Sequence, residues 1–261
     1  MTVSRVWHPR ARPARPAAKL LIGEDFLPVR PARRALDIVV ASVLLVLTAP
    51  LVLTAMIAIA VTDGRPVLFR HLRVGEGARP FPVLKLRTMR SRPGSAVTTT
   101  EDARITRLGR VLRRTSVDEL PQLVHVLQGR MTLVGPRPET VELAARYPAS
   151  SRPLLAARPG LTGPAQLAYR ERSAVPPPGW DVESWYLEVL VPLRAQADLD
   201  YVCRPTLRHT VLYLFRTAAF VVGLRDYQRA IERPARSEGS TVRGSQRALT
   251  HSPVVRSNSK L

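Results

Sequence analysis

The sequence predicts a mainly helical α+β protein that is monotopic, meaning that it enters a membrane without crossing it. Three observations predict this class: a long uncharged apolar segment near the N-terminus, two short segments around a glycine turn, and apolar residues with helical spacing. We expect a disordered basic tail over residues 1–34, a re-entrant membrane helix over 35–63, a folded domain over 64–224 and a second disordered basic tail over 225–261.

The membrane segment is the strongest physical signal in the chain. Residues 38–62 are 25 consecutive positions without a charged side chain, and a helix needs about 20 apolar residues to cross a bilayer. Pro50 lies in the middle of this segment. A proline there removes a backbone hydrogen bond and kinks the helix.

Both flanks of this segment are basic. The basic residues are Arg33 and Arg34 before it, and Arg65, Arg70 and Arg73 after it. Because basic flanks favour the cytoplasmic side, a helix that enters, bends at Pro50 and returns satisfies both flanks. A plain spanning helix that tolerates its proline is an open alternative. A cleaved secretion signal is disfavoured, because the apolar run and the preceding tail are too long.

Shorter patterns predict the elements of the folded domain. Residues 67–74 and 80–87 flank a turn with Glu76 between two glycines, which predicts a small β-hairpin. Apolar residues spaced as i, i+3, i+4 and i+7 predict a helix over 120–127. A second apolar helix, over 207–224, is amphipathic, so it lies either at the membrane interface or in the core.

Charge and composition limit the classes of binding partner but do not identify one of them. The net charge is +20, and the two tails hold +6 and +5 of it. A diffuse basic surface suits nucleic acid, anionic lipid or a phosphorylated substrate. The single cysteine, Cys203, excludes an internal disulfide and any metal site built from several cysteines.

Two adjacent carboxylates, Asp118 and Glu119, closely follow a basic pair at Arg113 and Arg114. Together with Ser116 they fit a capping box, in which both acids only serve the start of a helix. A helix start flanked by arginines also binds phosphate, and a carboxylate placed there acts as a nucleophile or holds Mg²⁺. These residues alone leave both interpretations open.

Three further clusters place basic side chains on defined backbone. Arg137 lies between Pro136 and Pro138, which fix the backbone on both sides, and a guanidinium held in this way binds phosphate with two hydrogen bonds. Arg158 precedes a Pro-Gly turn, and Lys85 lies near the end of the second predicted strand. Each cluster also fits an ordinary solvated loop or a half-buried strand.

Taken in chain order, these clusters resemble the bacterial sugar transferase family and, more narrowly, its small monotopic phosphoglycosyl transferases. The resemblance runs from about residue 33 to residue 224. It includes Pro50, residues 104–109 before the acidic pair, the clusters above and residues 199–202. Each motif is short, but their order and spacing together are specific. The one long apolar run favours the small class over larger relatives with several spanning helices.

The resemblance implies a reaction and a role for each site residue. The enzyme would move a sugar-1-phosphate from a UDP-sugar to a polyprenyl phosphate and release UMP, with Asp118 as the nucleophile that forms a covalent intermediate. Glu119 would bind Mg²⁺, and Pro50 would break the re-entrant helix. The basic residues implied to bind substrate phosphate, or to lie close to it, are Lys85, Arg113, Arg137, Arg158 and Arg170.

The resemblance also implies a place in the cell, the cytoplasmic face of a bacterial inner membrane. There the enzyme would start a lipid-linked glycan for exopolysaccharide, capsule or glycoprotein. We expect anionic membrane lipid and downstream glycosyltransferases as further partners. The alternatives are a membrane-anchored nucleic-acid-binding protein and an inactive scaffold of the same fold. No nucleic acid is expected, because the sequence has no recognisable binding module, and the intact acidic pair argues against a scaffold.

Overall fold

The computed structural model describes residues 29–91, 97–99, 102–169, 176 and 179–222. Most of these residues are helical, and two small sheets complete the fold, so the mainly helical α+β class is confirmed. Residues 1–28 and 223–261, which hold most of the two predicted tails, lie outside the described residues, as does Arg170.

The longest element is helix α1, Pro31–Thr62, with 32 residues. Of the helices in the described ranges, it is the one that is long and apolar enough to cross a membrane, judged by length and composition. Proline suits the first turn of a helix, where its missing N–H has no partner to lose. The helix therefore begins at Pro31, and its first turn includes residues 31–34, which the sequence assigned to the tail.

Helix α1 continues through Pro50 as one element. The proline has no N–H to donate to the preceding turn, and two threonine hydroxyls bind the backbone nearby. Thr48 donates to the carbonyl of Leu44 at 2.7 Å, and Thr54 donates to the carbonyl of Pro50 at 2.8 Å. The helix continues past Pro50 without ending there, so the break that the resemblance implies at this residue is not seen.

The predicted β-hairpin is confirmed, and its strand ends agree with the prediction to within one residue. Strand β1, Leu68–Val74, pairs antiparallel with β2, Pro80–Leu86, and the turn between them contains the 3-10 segment Glu76–Ala78. Residues that lie opposite each other in such a pair share a face. The register therefore places Arg73 and Lys85 on the same face of the hairpin.

The remaining elements are mostly short helices. They are α2 (Arg107–Thr115), α3 (Leu123–Leu127), α4 (Val141–Ala145), α5 (Pro164–Tyr169), α6 (Val182–Trp185), α7 (Val191–Cys203) and α8 (Leu207–Val221). Two 3-10 segments, Val117–Gln122 and Arg152–Ala156, and a π-helical turn, Tyr186–Leu190, lie among them. The helix predicted over 120–127 thus begins as a 3-10 segment and becomes α-helical at Leu123.

A second sheet pairs β3, Thr132–Val134, in parallel with β4, Gly160–Thr162. The sequence did not predict it, because three residues are too few to show an alternating pattern. Glycines allow the close approach of the two segments, since a Cβ on Gly160 would lie 2.1 Å from the backbone nitrogen of Gly135. This contact brings the two proline-containing clusters of the sequence side by side.

The core forms where α1 lies against the domain. Near its N-terminal end, the buried residue Ala41 packs into the central apolar cluster. That cluster also contains Phe81, Val83, Leu123, Val126, Met131, Leu133, Val134 and Tyr201. Near the C-terminal end of α1, Ala55 and Ile59 pack against apolar residues of β2 and α2. Helix α1 therefore contacts the domain towards both of its ends, and exposed apolar side chains cover its other side.

Buried polar contacts fix the N-terminal end of α1. The carboxylate of Asp37 accepts a hydrogen bond from the Thr132 hydroxyl at 2.7 Å and another from the Leu133 N–H at 3.0 Å. The Arg33 guanidinium donates to the carbonyl of Val134 at 3.1 Å. Because burying charged groups costs free energy unless they are hydrogen-bonded, these contacts hold α1 against β3 in one position.

Candidate active site

The acidic pair lies where the chain turns between α2 and the 3-10 segment Val117–Gln122. Ser116 makes this turn in the left-handed region, with φ +61°. Its side chain does not cap the segment that follows, and the carboxylate of Glu119 bonds to basic side chains elsewhere in the fold. The capping box that the sequence allowed is therefore not formed, and both acids are directed into tertiary structure.

Glu119 is held by two cations from separate parts of the chain. Nζ of Lys85 lies 2.7 Å from Oε1 of Glu119, and Nη2 of Arg137 lies 2.7 Å from the same oxygen. Nη1 of Arg137 is farther away, at 3.4 Å from Oε2 of Glu119 and 3.4 Å from the amide oxygen of Gln166. The arginine that two prolines hold in the sequence is thus aimed at the acidic pair.

These pairings give Glu119 a fixed negative charge. Burial alone would raise the pKa of Glu119, but Arg137 and then Lys85 outweigh it and hold the pKa well below its usual range. The Glu119 charge in turn raises the pKa of Arg137. Burial lowers the pKa of Lys85, although Glu119 opposes that effect. At neutral pH this part of the site is therefore an ion-paired anchor.

Asp118 has a different environment. Its side chain is buried, at 6% exposure, and burial, followed by the charge of Glu119, raises its pKa to about 6. The charges of Lys85, Arg113 and Arg137 oppose this rise. Within the described residues its carboxylate accepts no hydrogen bond. Asp118 is therefore a buried carboxylate that is surrounded by cations but not tied to one of them.

Most, but not all, of the predicted site residues come together. Those that do are Lys85, Arg113, Asp118, Glu119 and Arg137. The guanidinium of Arg158 instead binds Glu76 in the hairpin turn, with Nε and Nη2 both 2.8 Å from Oε2. Arg170 lies outside the described residues. The phosphate-binding roles of Arg158 and Arg170 thus stay predictions.

A cleft opens beside Glu119. It is lined by Arg73, Val83, Lys85, Glu119, Gln122, Arg137, Pro138, Gly160 and Leu161. The sequence predicted Arg73 only as a basic flank of the membrane segment, and Gln122 and Gln166 were not predicted as site residues. The spacing of three residues between Glu119 and Gln122 is the signal that could have identified Gln122. Gln166 and Arg73 reach the site through tertiary structure alone.

Glu139, two residues after Arg137, is buried. Its Oε1 accepts a hydrogen bond from the Thr140 N–H at 2.8 Å. Its Oε2 accepts one from the Tyr147 hydroxyl at 3.1 Å and another from the Tyr186 hydroxyl. Glu139 therefore ties the loop that carries Arg137 to the helical layer. Its place two residues after Arg137 is the one sequence signal for this role.

The donor set at the acidic pair is compatible with Mg²⁺. Within the described ranges, no group of three or more His, Cys, Asp and Glu side chains could hold a metal ion. Mg²⁺ does not need such a group, because one or two carboxylates usually hold it together with substrate phosphates and water. The shortest contacts of Glu119 are at Oε1. Oε2 of Glu119, which has only the longer contact with Arg137 at 3.4 Å, therefore keeps acceptor capacity for the ion.

Comparison with known proteins gives a family match and a set of relatives. The model of a family described as bacterial sugar transferase matches residues 29–223. A UDP-glucose:undecaprenyl-phosphate glucose-1-phosphate transferase from Caulobacter vibrioides is 48% identical over 149 residues, which cover 52% of this chain and 53% of that protein. A protein of the same name from Escherichia coli is 36% identical over 180 residues, which cover 65% of this chain and 36% of that protein.

A third relative is similar over more of its own length. The exopolysaccharide production protein ExoY from Rhizobium meliloti is 34% identical over 176 residues, which cover 59% of this chain and 78% of that protein. The chain thus spans about half the length of the Caulobacter relative and about a third of the Escherichia coli relative. The matched family region contains the whole cleft and all of α1.

Proposed function

The chain belongs to the bacterial sugar transferase family, and we propose that it transfers a sugar-1-phosphate from a UDP-sugar to a polyprenyl phosphate and releases UMP. The observation that carries this proposal is the buried Asp118 beside a Glu119 that Lys85 and Arg137 hold. One carboxylate stays available for reaction while its neighbour is ion-paired. Two relatives are named for UDP-glucose and undecaprenyl phosphate, so these are the first substrates to test.

In the proposed first step, an oxygen of Asp118 attacks the β-phosphorus of the UDP-sugar. The bond between this phosphorus and the bridging oxygen breaks, the electron pair stays on that oxygen, and UMP leaves. In the second step, an oxygen of the polyprenyl phosphate attacks the same phosphorus, and Asp118 is released as a carboxylate. A covalent intermediate lets a soluble donor and a lipid acceptor use one site in turn. No general base is required, because the phosphate acceptor is already ionised.

The cations around the acidic pair reduce the repulsion between a carboxylate and a diphosphate. Lys85, Arg113 and Arg137 provide positive charge that is already in place before the reaction, which is the most effective form of electrostatic catalysis. Mg²⁺ held by Glu119 would add charge neutralisation at the donor diphosphate. Arg158 already binds Glu76 through Nε and Nη2, so only the remaining N–H donors of its guanidinium are left for phosphate in this arrangement.

For the membrane segment we propose the re-entrant arrangement. The apolar residues of α1 that pack on the domain are Val40, Ala41, Leu44 and Leu45 towards one end, and Val52, Ala55, Met56 and Ile59 towards the other. Between these two sets lie residues 46–51, about 9 Å of helix at 1.5 Å per residue. A bilayer core is about 30 Å thick. A helix that contacts one domain near both ends has no room for a crossing of that length.

The proposed location is the cytoplasmic face of the bacterial inner membrane. Val46, Leu47 and Val61 are among the apolar side chains that α1 exposes, and exposed apolar patches of this kind mark membrane or partner contacts. There the enzyme would start a lipid-linked glycan, and the name of the Rhizobium meliloti relative favours exopolysaccharide. Anionic lipid and downstream glycosyltransferases stay the proposed partners of the basic regions.

The reaction is tested by UMP release from the purified full-length protein in nanodiscs with Mg²⁺. We expect UMP from one member of a panel of UDP-sugars, first UDP-glucose. Without lipid, release should stop at about one UMP per protein, because the sugar phosphate stays on Asp118; undecaprenyl phosphate should then allow repeated turnover. UMP formation that strictly requires lipid would contradict the covalent intermediate. A folded wild-type protein that releases no UMP from any donor would favour the inactive scaffold.

The membrane arrangement is tested by cysteine labelling in sealed, oriented vesicles. Arg30 and Arg70 flank α1 and are both exposed, whereas Arg33 is buried and is a poor labelling site. Single cysteines at positions 30 and 70, in a Cys203→Ser background that removes the exposed native thiol, should both react with an impermeant reagent from the cytoplasmic side. Labelling from opposite sides would show a spanning helix.

A further inference from the structure

Arg73 is a cation of the cleft that the reaction scheme does not use. Its side chain lines the cleft together with Lys85 and Arg137. Arg73 lies opposite Phe81, and Lys85 lies opposite Phe69, four residues away along β1. At about 3.4 Å per residue, the two backbone positions are about 14 Å apart along the hairpin, and both long side chains reach the cleft. The cleft therefore has one cation at its Glu119 end and another farther along the same face.

The bonds that hold Arg73 inside the protein are long. Nη1 of Arg73 lies 3.4 Å from Oε1 of Glu139 and 3.4 Å from the carbonyl oxygen of Pro138. N–H···O hydrogen bonds in proteins are typically about 2.7–3.2 Å, so neither contact is a strong one. A guanidinium offers five N–H donors in a planar fork. Most of the hydrogen-bonding capacity of Arg73 is thus left for a ligand.

Glu139 does not depend on Arg73 for its own hydrogen bonds. Its carboxylate already accepts hydrogen bonds from the Thr140 N–H and from the hydroxyls of Tyr147 and Tyr186. Burial lowers the pKa of Arg73; Glu139 opposes this shift, and the nearby charge of Arg137 adds to it. Placing several cations close together in a partly buried cleft costs free energy, because they lose hydration and repel one another. A polyanionic ligand offsets this cost.

We infer that Arg73 binds the donor phosphate that leaves with the nucleotide. This inference rests on the proposed function. Lys85 lies beside Glu119, and Arg73 lines the same cleft. In the proposed reaction the β-phosphorus is next to Asp118, and the α-phosphate then extends along the cleft towards Arg73. When the bond to the bridging oxygen breaks, that oxygen takes the electron pair and UMP gains a negative charge. The Arg73 guanidinium stabilises this charge with paired hydrogen bonds.

The test measures the binding of three probes to the full-length protein in detergent: UMP, uridine and inorganic pyrophosphate. The variants are Arg73→Met, Arg73→Lys and the matched control Arg79→Met, which removes an exposed charge from the same hairpin. Arg73→Met should weaken UMP and pyrophosphate binding about 10- to 100-fold, as expected for hydrogen bonds to a charged group. The UMP affinity of Arg73→Lys should lie between those of the wild type and Arg73→Met, because lysine keeps the positive charge but lacks the planar set of N–H donors. Uridine binding should be unchanged in the Arg73 variants, and the control Arg79→Met should bind all three probes as the wild type does.

The other outcomes distinguish a failure of this inference from a failure of the proposed function. Equal UMP affinity in the wild type and in Arg73→Met overturns the inference and leaves the proposed function standing. An equal loss for UMP and uridine in Arg73→Met also overturns it, because that pattern indicates a structural role. A wild type that binds pyrophosphate but not UMP contradicts the nucleotide donor, and Arg73 is then judged on pyrophosphate alone. A folded wild type that binds none of the probes overturns both proposals.

Discussion

Asp118 and Glu119 are neighbours in the chain, but the two sides of the site that hold them differ. On the Glu119 side, Lys85 and Arg137 each reach the carboxylate at 2.7 Å, and its pKa lies well below the usual range. On the Asp118 side, burial raises the pKa to about 6. The same side-chain chemistry thus gives an ion-paired carboxylate in one position and the proposed nucleophile in the next, and the difference arises from the environment of each group.

The largest expected effect is that of Asp118→Asn on the first step. An amide cannot form the acyl phosphate, so UMP release should fall by a factor of about 10⁴ or more. The measurement is single-turnover UMP formation with the donor identified for the wild type. Vesicle sedimentation and UMP binding at the wild-type level would show that the variant is folded and membrane-bound. A rate within tenfold of the wild type would remove the distinction between the two carboxylates.

The next effect is that of Glu119→Gln, which removes the ion-paired carboxylate and leaves Asp118, the proposed nucleophile, unchanged. We expect about 10²- to 10³-fold slower UMP formation, because the cations and Mg²⁺ lose their charged partner. Lys85 is partly buried, so loss of its ion pair should also lower the melting temperature by several degrees. Glu142→Gln, an exposed carboxylate on α4, is the control for the loss of one negative charge. Unchanged activity and stability would refute the anchor role.

The sequence predicts the local features of this site, and the structure adds those that depend on distant contacts. The hairpin follows from its turn, and Lys85, Asp118, Glu119 and Arg137 each lie in a short motif that limits their chemistry. The pairing of β3 with β4 joins segments of three residues, too short for a periodic signal. The contacts of Arg73 and Glu139 likewise join residues 66 positions apart.

The membrane helix also has some features that the sequence predicts and others that only the structure shows. Its length and apolar composition follow from the sequence, and so does the position of Pro50. The packing of Ala41 and Ile59 on separate parts of the domain does not, because both residues look like ordinary members of an apolar run. A periodic pattern identifies a buried face only where polar residues mark the other face. In α1 the opposite face is apolar as well.

The third expected effect is on pH dependence. With a pKa of about 6, Asp118 is ionised above that pH and protonated below it. The apparent second-order rate constant for the single turnover of UMP formation without lipid should therefore be level above pH 6 and fall about tenfold per pH unit below it. The lipid is left out because a phosphate monoester titrates near pH 6 as well. A level profile down to pH 5 would place the pKa of Asp118 near that of an ordinary carboxylate.

The smallest effect is on stability, and it should have opposite signs when the two carboxylates are replaced. Because the pKa of Asp118 is raised from 3.8 to about 6, the folded protein binds this proton more tightly than the unfolded chain does. The ionised form destabilises the fold by about 3 kcal/mol at most, a penalty that is absent below pH 3.8, grows up to pH 6 and is constant above it. Asp118→Asn should therefore raise the melting temperature by a few degrees at pH 7.5, with a smaller gain at pH 5. Glu119→Gln should lower it at both pH values, and a decrease in both variants at pH 7.5 would mean that Asp118, too, is stabilised by its cations.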